Sequence, residues 1–268
     1  MKPSPPSIVA RVASLRETPS IQNLTPILAE TPDFLVVDKP PNVLSHPTRP
    51  DGKPTLLGWL QERHPGEFVA LVNRLDRETS GTVLVARSPE AASKLGTMTM
   101  KREIEKTYLA IVSGRVEKEH GFIDAPMGRL GISDANPIWL RRGIIPHDDP
   151  LARKTYDAQT EYWTLATSDT CSLLRLRAHT GRLHQLRVHL AHLGHPVIGD
   201  KIYGPDPLLY LKFIAEGWTA EHQRVLTLPR HALHAHELRF PWNNETLTFT
   251  APLPEDLRSY ATNAGLSW

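Results

Sequence analysis

The sequence predicts an α+β domain: a mixed, mainly antiparallel central sheet with flanking helices. Strand-like segments outnumber helical ones, most successive strands lie a hairpin's length apart, and no regular strand–helix alternation runs along the chain. No G-x-G-x-x-G or G-x-x-x-x-G-K-[ST] opens a helix, so the usual nucleotide-phosphate loops are missing. At 268 residues and 40% hydrophobic content, the chain can bury a sizeable core.

Residues 1–24 are proline-rich without sustained periodicity, and an extended lead-in is expected there. ILAETPDFLVVDK (27–39) reads as two strands around a Pro-Asp turn, an antiparallel hairpin. TLLGWLQERHPG (55–66) spaces Leu56, Trp59 and Leu60 helically, with Thr55 as cap and Gly66 past the end. FVALVNRL and GTVLVARS read as strands on either side of a polar turn. Ser88 then caps a helix that has Pro89 in its first position. KTYLAIVSGRV is strand-like, and residues 128–155 are patterned so weakly that they read as a long connection or insertion. TYDAQTEYWTLAT and TCSLLRLRAHT alternate and are expected to pair. GRLHQLRVHLAHLGH changes period: Leu183, Leu186, Leu190 and Leu193 mark one helical face, charge occupies the other, and Gly194 ends the helix.

No run of eighteen apolar residues is present, no secretory leader is expected, and the single cysteine, Cys171, excludes an intrachain disulfide framework. A cytoplasmic protein is expected. The net charge of +2 is uninformative, but Arg175, Arg177, Arg182, Arg187 and Lys201 crowd one stretch against a single acid, Asp200. That stretch is either a phosphate-binding surface or a solvated cationic face.

The chemistry concentrates in NRLDRETSG (73–81), which sets Asp76 between Arg74 and Arg77. By spacing alone Asp76 is either a turn-forming ion-pair member or an ionised nucleophile or base, kept charged by a nearby cation. His179, His184, His189, His192 and His195 raise a metal site, but no H-E-x-x-H accompanies them. Ser80 beside Asp76 raises a hydrolase, but no G-x-S-x-G elbow is present.

Taken in order, these segments resemble the RluA-type pseudouridine synthases. NRLDRETSGTVLVA resembles that family's RLDxxTSG signature, KTYLAIVSG its KxYxAxVxG segment, HTGRLHQLRVHLAHLGHPVIGDKIYG its TGRxHQ[IL]RxHL…GDxxYG segment and RHALHAHELRFPW its closing LHAxxLxF segment. The opening strands match as well, so the resemblance spans 27 to about 251. It implies a pseudouridine synthase fold with a catalytic cleft, and isomerisation of uridine to pseudouridine in structured rRNA or tRNA with base flipping and without cofactor or metal. It further implies a catalytic domain over 25–268 with no separate N-terminal RNA-binding domain, RNA as partner, no membrane and no obligatory protein partner.

The resemblance assigns Asp76 as the catalytic acid residue, attacking either the sugar or the uracil ring. Tyr108 becomes the aromatic that packs on the target base and assists proton removal, and Arg187 the partner of the aspartate. Arg74 would fill the space left by the flipped nucleotide, with Arg182, His184 and Gln185 as further substrate-binding residues. On spacing alone, Tyr108 fits a core aromatic of a strand better than a site residue, and Arg187 fits a helix-surface cation. Arg182, His184 and Gln185 fit residues that solvate or cap the helix start, and His234 and His236 one face of a strand. The chain departs from the pattern at Asn73, where histidine is common, and at Leu183, where threonine is. Loop 131–155 is longer than usual and is expected to shape RNA choice. The rival in a different class is an RNA-binding protein on the same scaffold without turnover.

Overall fold

The structure, a computed structural model, describes residues 25–47, 53–130, 138–148 and 154–267. The predicted lead-in over 1–24 and parts of the 131–155 loop lie outside these residues. The first hairpin forms as expected: β1 (Ile27–Glu30) pairs antiparallel with β2 (Phe34–Lys39). Helix α1 (Leu56–Arg63) begins at Thr55, whose hydroxyl accepts from the Gly58 amide at 3.1 Å and so satisfies one of the free first-turn donors.

Where FVALVNRL promised a strand, only β3 (Ala70–Leu71) forms. The reason is Asn73: its side-chain oxygen accepts from the Leu84 amide at 2.7 Å and its amide nitrogen donates to Thr82 O at 3.3 Å. A side chain thereby replaces the backbone ladder, freeing the next residues to turn away from the sheet. Strand β4 (Ser80–Ala86) and helix α2 (Pro89–Met100), capped by Ser88, follow.

Next come β5 (Glu105–Ser113) and β6 (His120–Asp124). The weakly patterned connection is not structureless: β7 (Met127–Arg129), β8 (Arg142–Ile144) and β9 (Thr155–Tyr156) make a small antiparallel sheet in the order β8-β7-β9. Strands of two and three residues are too short to show an alternation, which is why the sequence hid them. Strands β10 (Gln159–Thr167) and β11 (Cys171–Ala178) pair as predicted.

Helix α3 is Gln185–His192, shorter than the leucine spacing suggested. Leu183 precedes it and is 45% exposed, and the expected charged face is instead buried, including Arg187 and His189. Leu186 and Leu190 pack into one hydrophobic cluster and Val188 into another, so the helix is covered on both sides. Helices α4 (Leu208–Glu216) and α5 (Ala220–Leu226), strands β12 (Leu233–Trp242) and β13 (Glu245–Thr250) and helix α6 (Glu255–Asn263) complete the described chain.

The main sheet runs β1-β2-β4-β12-β5-β11-β10-β6, with β13 on β12 and β3 on β4. Every pairing is antiparallel except β4–β12, which is parallel and joins only Ser80 to His234 and Gly81 to Ala235. The apolar runs FLVV and TVLVA do not alternate because both faces of β2 and β4 are covered. Leu35, Val37, Val83 and Val85 meet α1 on one side; Phe34, Val36, Leu84 and Ala86 meet α2 and the Phe240–Trp242 edge on the other.

The parallel junction fixes the site. Gly81 has φ of +112°, and a Cβ there would lie 2.1 Å from Ala235 O, so only glycine lets β4 approach β12 this closely. The Thr-Ser-Gly end of the opening motif therefore anchors the preceding turn, Arg74 to Thr79, at the centre of the sheet.

Candidate active site

The Asp76 turn is held by buried polar bonds. Asp76 O accepts from the Thr79 amide at 3.1 Å. Ser45 brackets Leu75, donating to its carbonyl at 2.9 Å and accepting from its amide at 3.1 Å. The fully buried Lys39 ammonium donates to Pro40 O, Val43 O and Arg77 O at 2.7, 2.9 and 3.2 Å. It ties the segment after β2 to the far side of the turn. Burial pushes its pKa down to about 7, against the field of Asp76, which favours its charge.

Asp76 is paired with neither of its sequence neighbours. Arg74 is exposed and meets His46 Nε2, and Arg77 donates to Asn42 O at 3.2 Å. The partner of Asp76 is Arg187 from α3, whose Nη1 donates to Asp76 Oδ2 at 3.0 Å. The same guanidinium donates through Nε and Nη2 to Asp200 at 2.6 and 2.8 Å, a two-pronged pair. Asp200 Oδ1 also accepts from the Ile202 and Tyr203 amides at 2.9 and 3.0 Å. Asp200 thus holds the partner of Asp76 in place, a position that sequence reading passed over as the lone acid of a basic stretch. The G-D-K-I-Y-G run around it was the available signal.

Charge balance follows from these contacts. Burial alone would raise the Asp76 carboxyl, but His184 and His231 where acid protonates them, together with the charge and hydrogen bond of Arg187, leave it below the usual carboxylate range. His184 titrates at about 4, because burial and Arg187 disfavour its cation, and burial pushes His231 well below the ordinary histidine value. Both imidazoles are neutral at pH 7, so Arg187 is the cation that keeps Asp76 ionised. Asp76 is 20% exposed and its Oδ1 accepts no hydrogen bond from the described residues. One carboxylate oxygen is held by Arg187, and the other is left without a hydrogen bond from the described residues.

His184, in the left-handed conformation at φ of +60°, starts α3 and lies with Nε2 3.9 Å from Asp76 Oδ2. Its Nδ1 is 2.8 Å from the Tyr203 hydroxyl, which accepts from the Arg142 amide at 3.0 Å. With that amide on Tyr203 Oη, Nδ1 can accept the phenol proton, and in that tautomer Nε2–H faces Asp76. Tyr203 also lies 5.0 Å from the Arg187 guanidinium carbon, so one ring orients both neighbours.

Tyr108 projects from β5 beside the cluster that contains Leu75, in the field of Asp76. Burial and that negative charge raise its hydroxyl well above the ordinary tyrosine value. It presents a neutral phenol and an aromatic face rather than a phenolate.

The other expected residues separate. Gln185 is buried, with its amide oxygen accepting from Thr180 Oγ1 and the Arg182 amide and its nitrogen donating to Gln159 O and Thr160 Oγ1. It braces the loop before α3. Arg182 donates to Asp157 O at 3.0 Å and lies over Tyr156, on the side of the small sheet. Of the basic stretch, Arg187 and Lys201 are buried ion-pair members; Lys201 donates to Glu78 at 2.8 Å. His189 bonds Thr160 and the Ala125 carbonyl, and His234 bonds Ser80.

These buried neutral histidines make stability depend on pH. Burial lowers the pKa of His184, His189, His231 and His234, with His184 and His234 at about 4. Below the unfolded value of about 6.5 the unfolded chain binds more protons, so stability falls as pH drops toward 4. His184 and His234 each contribute about 1.4 kcal/mol per pH unit in that window. Asp38, raised by burial to about 6, acts oppositely but alone. Urea midpoints are expected to fall steadily from pH 7.5 to 5; a flat profile would contradict the neutral assignments.

Residues 33–192 match the family model described as RNA pseudouridylate synthase. Ribosomal large subunit pseudouridine synthase D of Nitrosomonas europaea is 35% identical over 241 residues, covering 86% of this chain and 62% of that protein. An uncharacterized RNA pseudouridine synthase of Chloroflexus aurantiacus is 37% identical over 229 residues, 82% of this chain and 63% of that protein. The chain thus spans less than two thirds of the length of these two relatives. The solved structure of human RNA pseudouridylate synthase domain containing 1 superposes with a TM-score of 0.67 at 30% identity, covering 88% of this chain and 86% of that one.

Proposed function

The chain belongs to the RNA pseudouridylate synthase family, and from that premise we propose that it isomerises uridine to pseudouridine in structured rRNA or tRNA, with residues 25–268 as the catalytic unit. The observation that carries this is the Asp76 carboxylate: ionised by Arg187, with one oxygen free, at the centre of the sheet. The reaction breaks the N1–C1′ bond, turns the uracil and joins its C5 to C1′; the C5 proton is lost and N1 gains one. An ionised aspartate supplies the nucleophile, toward sugar or ring, that splits one difficult exchange into two steps.

Tyr108 supports the reading by offering a neutral aromatic face beside Asp76, on which a loosened uracil can stack. His184 Nε2–H is a donor for a uracil carbonyl or a ribose hydroxyl, and Gln185 holds the loop that presents it. No helix among the described residues is long and apolar enough to cross a membrane, and a cytoplasmic location with RNA as partner fits this role.

A target uridine must leave its stack, at a cost of a few kcal/mol. Arg74, exposed beside the turn, is suited to fill the gap, since its planar guanidinium both stacks and donates. Arg74→Ala is expected to lower kcat/KM by about tenfold with an unchanged melting curve; wild-type kinetics would remove this role. Arg182, farther out over Tyr156, is suited to a phosphate.

The proposal is tested by incubating the purified protein with unmodified rRNA and tRNA transcripts and mapping pseudouridine by carbodiimide-dependent stops. New stops at discrete uridines are expected. No stop in either RNA class, with the protein still bound to RNA, would favour a binding protein without turnover.

A further inference from the structure

Facing away from Asp76, the main sheet carries a groove of about 880 Å³ that the proposed reaction does not use. Its floor is built by register. On β5, Thr107 and Leu109 point into it while Tyr108 between them points to the Asp76 side. Arg175 and Arg177 of β11 stand opposite Leu109 and Thr107, and Arg239 of β12 stands opposite Glu105. Trp163 of β10 stands opposite Arg175.

Four arginines against Glu105 and Glu237 leave this groove with a net positive charge. Arg177 is spent on Glu105 at 2.8 Å, but Arg175 and Arg239 are exposed and neither makes an ion pair among the described residues. Arg258, at the rim, donates to Leu253 O and lies 3.7 Å from the Glu255 carboxylate. Arg175 is pre-ordered: its guanidinium carbon lies 4.6 Å from the Trp163 ring, which His120 stacks from the other side at 5.2 Å. Two strands from Arg175, Phe122 of β6 is 52% exposed. Cations beside aromatic rings on an open sheet form the combination that takes single-stranded nucleic acid, phosphates on the arginines and bases on the rings.

We propose that this face, from β12 across to β6, is a second RNA-binding surface, separate from the Asp76 cleft, which holds a single-stranded segment of the RNA being modified. It rests on the reading that the chain works on RNA. It gives the protein a grip on RNA at a distance from the target uridine, and a guanidinium already stacked on Trp163 loses less freedom when it takes a phosphate.

The test uses the full chain and a fluorescein-labelled 12-nucleotide oligoadenylate, which offers the cleft no uridine. Wild type is expected to bind with a strong salt dependence. Arg175→Glu with Arg239→Glu is expected to weaken binding about tenfold or more and to reduce the log–log salt slope by about 1.4, roughly 0.7 for each phosphate no longer neutralised. Arg175→Gln with Arg239→Gln should lower the salt slope by a similar amount with a smaller loss of affinity, and serves if charge reversal disturbs folding.

Uridine conversion in a short hairpin is read in parallel. Conversion by wild type, with oligoadenylate affinity and slope unchanged in both double variants, would overturn the surface and leave the enzyme. No conversion, with oligoadenylate binding lost in the variants, would leave the surface and overturn the enzyme. No binding of oligoadenylate by wild type overturns the surface. So does unchanged affinity accompanied by dissociation of a dimer in the variants, which would assign the face to a second copy of the chain.

Discussion

Asp76→Asn is expected to lower uridine conversion by about a thousandfold or more while RNA affinity stays within about threefold of wild type. The amide keeps the size and one carbonyl oxygen for Arg187, but it is not a nucleophile and carries no charge. The fold should tolerate the change, because Arg187 keeps its two bonds to Asp200 and the turn is held independently by Ser45, Lys39 and Thr79. Single-turnover conversion and filter binding on one RNA check both halves. Conversion near the wild-type rate would remove Asp76 from the chemistry; lost binding with lost conversion would make it a structural residue.

Arg187 carries the second large effect, and it is twofold. Arg187→Ala leaves the fully buried Asp200 carboxylate without its cation, which is expected to cost about 3–5 kcal/mol of stability. Arg187→Lys separates the structural role from the electrostatic one. A lysine keeps the charge but cannot fork to Asp200 while reaching Asp76. The Asp76 carboxyl should then titrate closer to its ordinary value, and the acid limb of the rate–pH profile should move upward. The sign follows from the pair: Arg187 stabilises the ionised carboxylate, so weakening it raises the pH at which activity is lost. A lysine variant with an unshifted acid limb would mean that another group keeps Asp76 ionised.

Much of this site was legible in the chain, through ordered motifs rather than periodicity. The hairpin at 27–39, the Thr55 and Ser88 caps and the β10–β11 pair follow local rules, and the structure has them where the rules place them. The failures are non-local. Asn73 looks like a strand residue until its side chain is seen bonded to Leu84, eleven positions away. The leucine spacing around α3 suggested one buried face, but packing on two sides buries Arg187 and His189 as well. For Asp76 the ordered motifs succeeded where spacing did not: they named Arg187 as its partner, whereas its neighbours in sequence are Arg74 and Arg77. The turn sends those side chains elsewhere and pairs Asp76 with a residue 111 positions away.

Asp200, Lys39 and His231 escaped for the same reason. Each is an ordinary residue in its own segment, and only the meeting of β2, the turn before β4, α3 and the segment before β12 gives it a task. Lys39 is a short-range clamp on Pro40 and Val43 and a long-range one on Arg77. His231 bonds Thr79 at 2.7 Å, inside the motif that holds Asp76.

The central claim is that this chain makes pseudouridine in cellular RNA through Asp76. Its most direct test is a transcript-wide pseudouridine map of rRNA and tRNA from cells with the gene, without it, and without it but complemented by wild type or by Asp76→Asn. The account predicts that one or a few sites vanish on deletion, return with wild type and stay absent with Asp76→Asn at equal protein level. Sites restored by Asp76→Asn, or a map that deletion leaves unchanged, would contradict it.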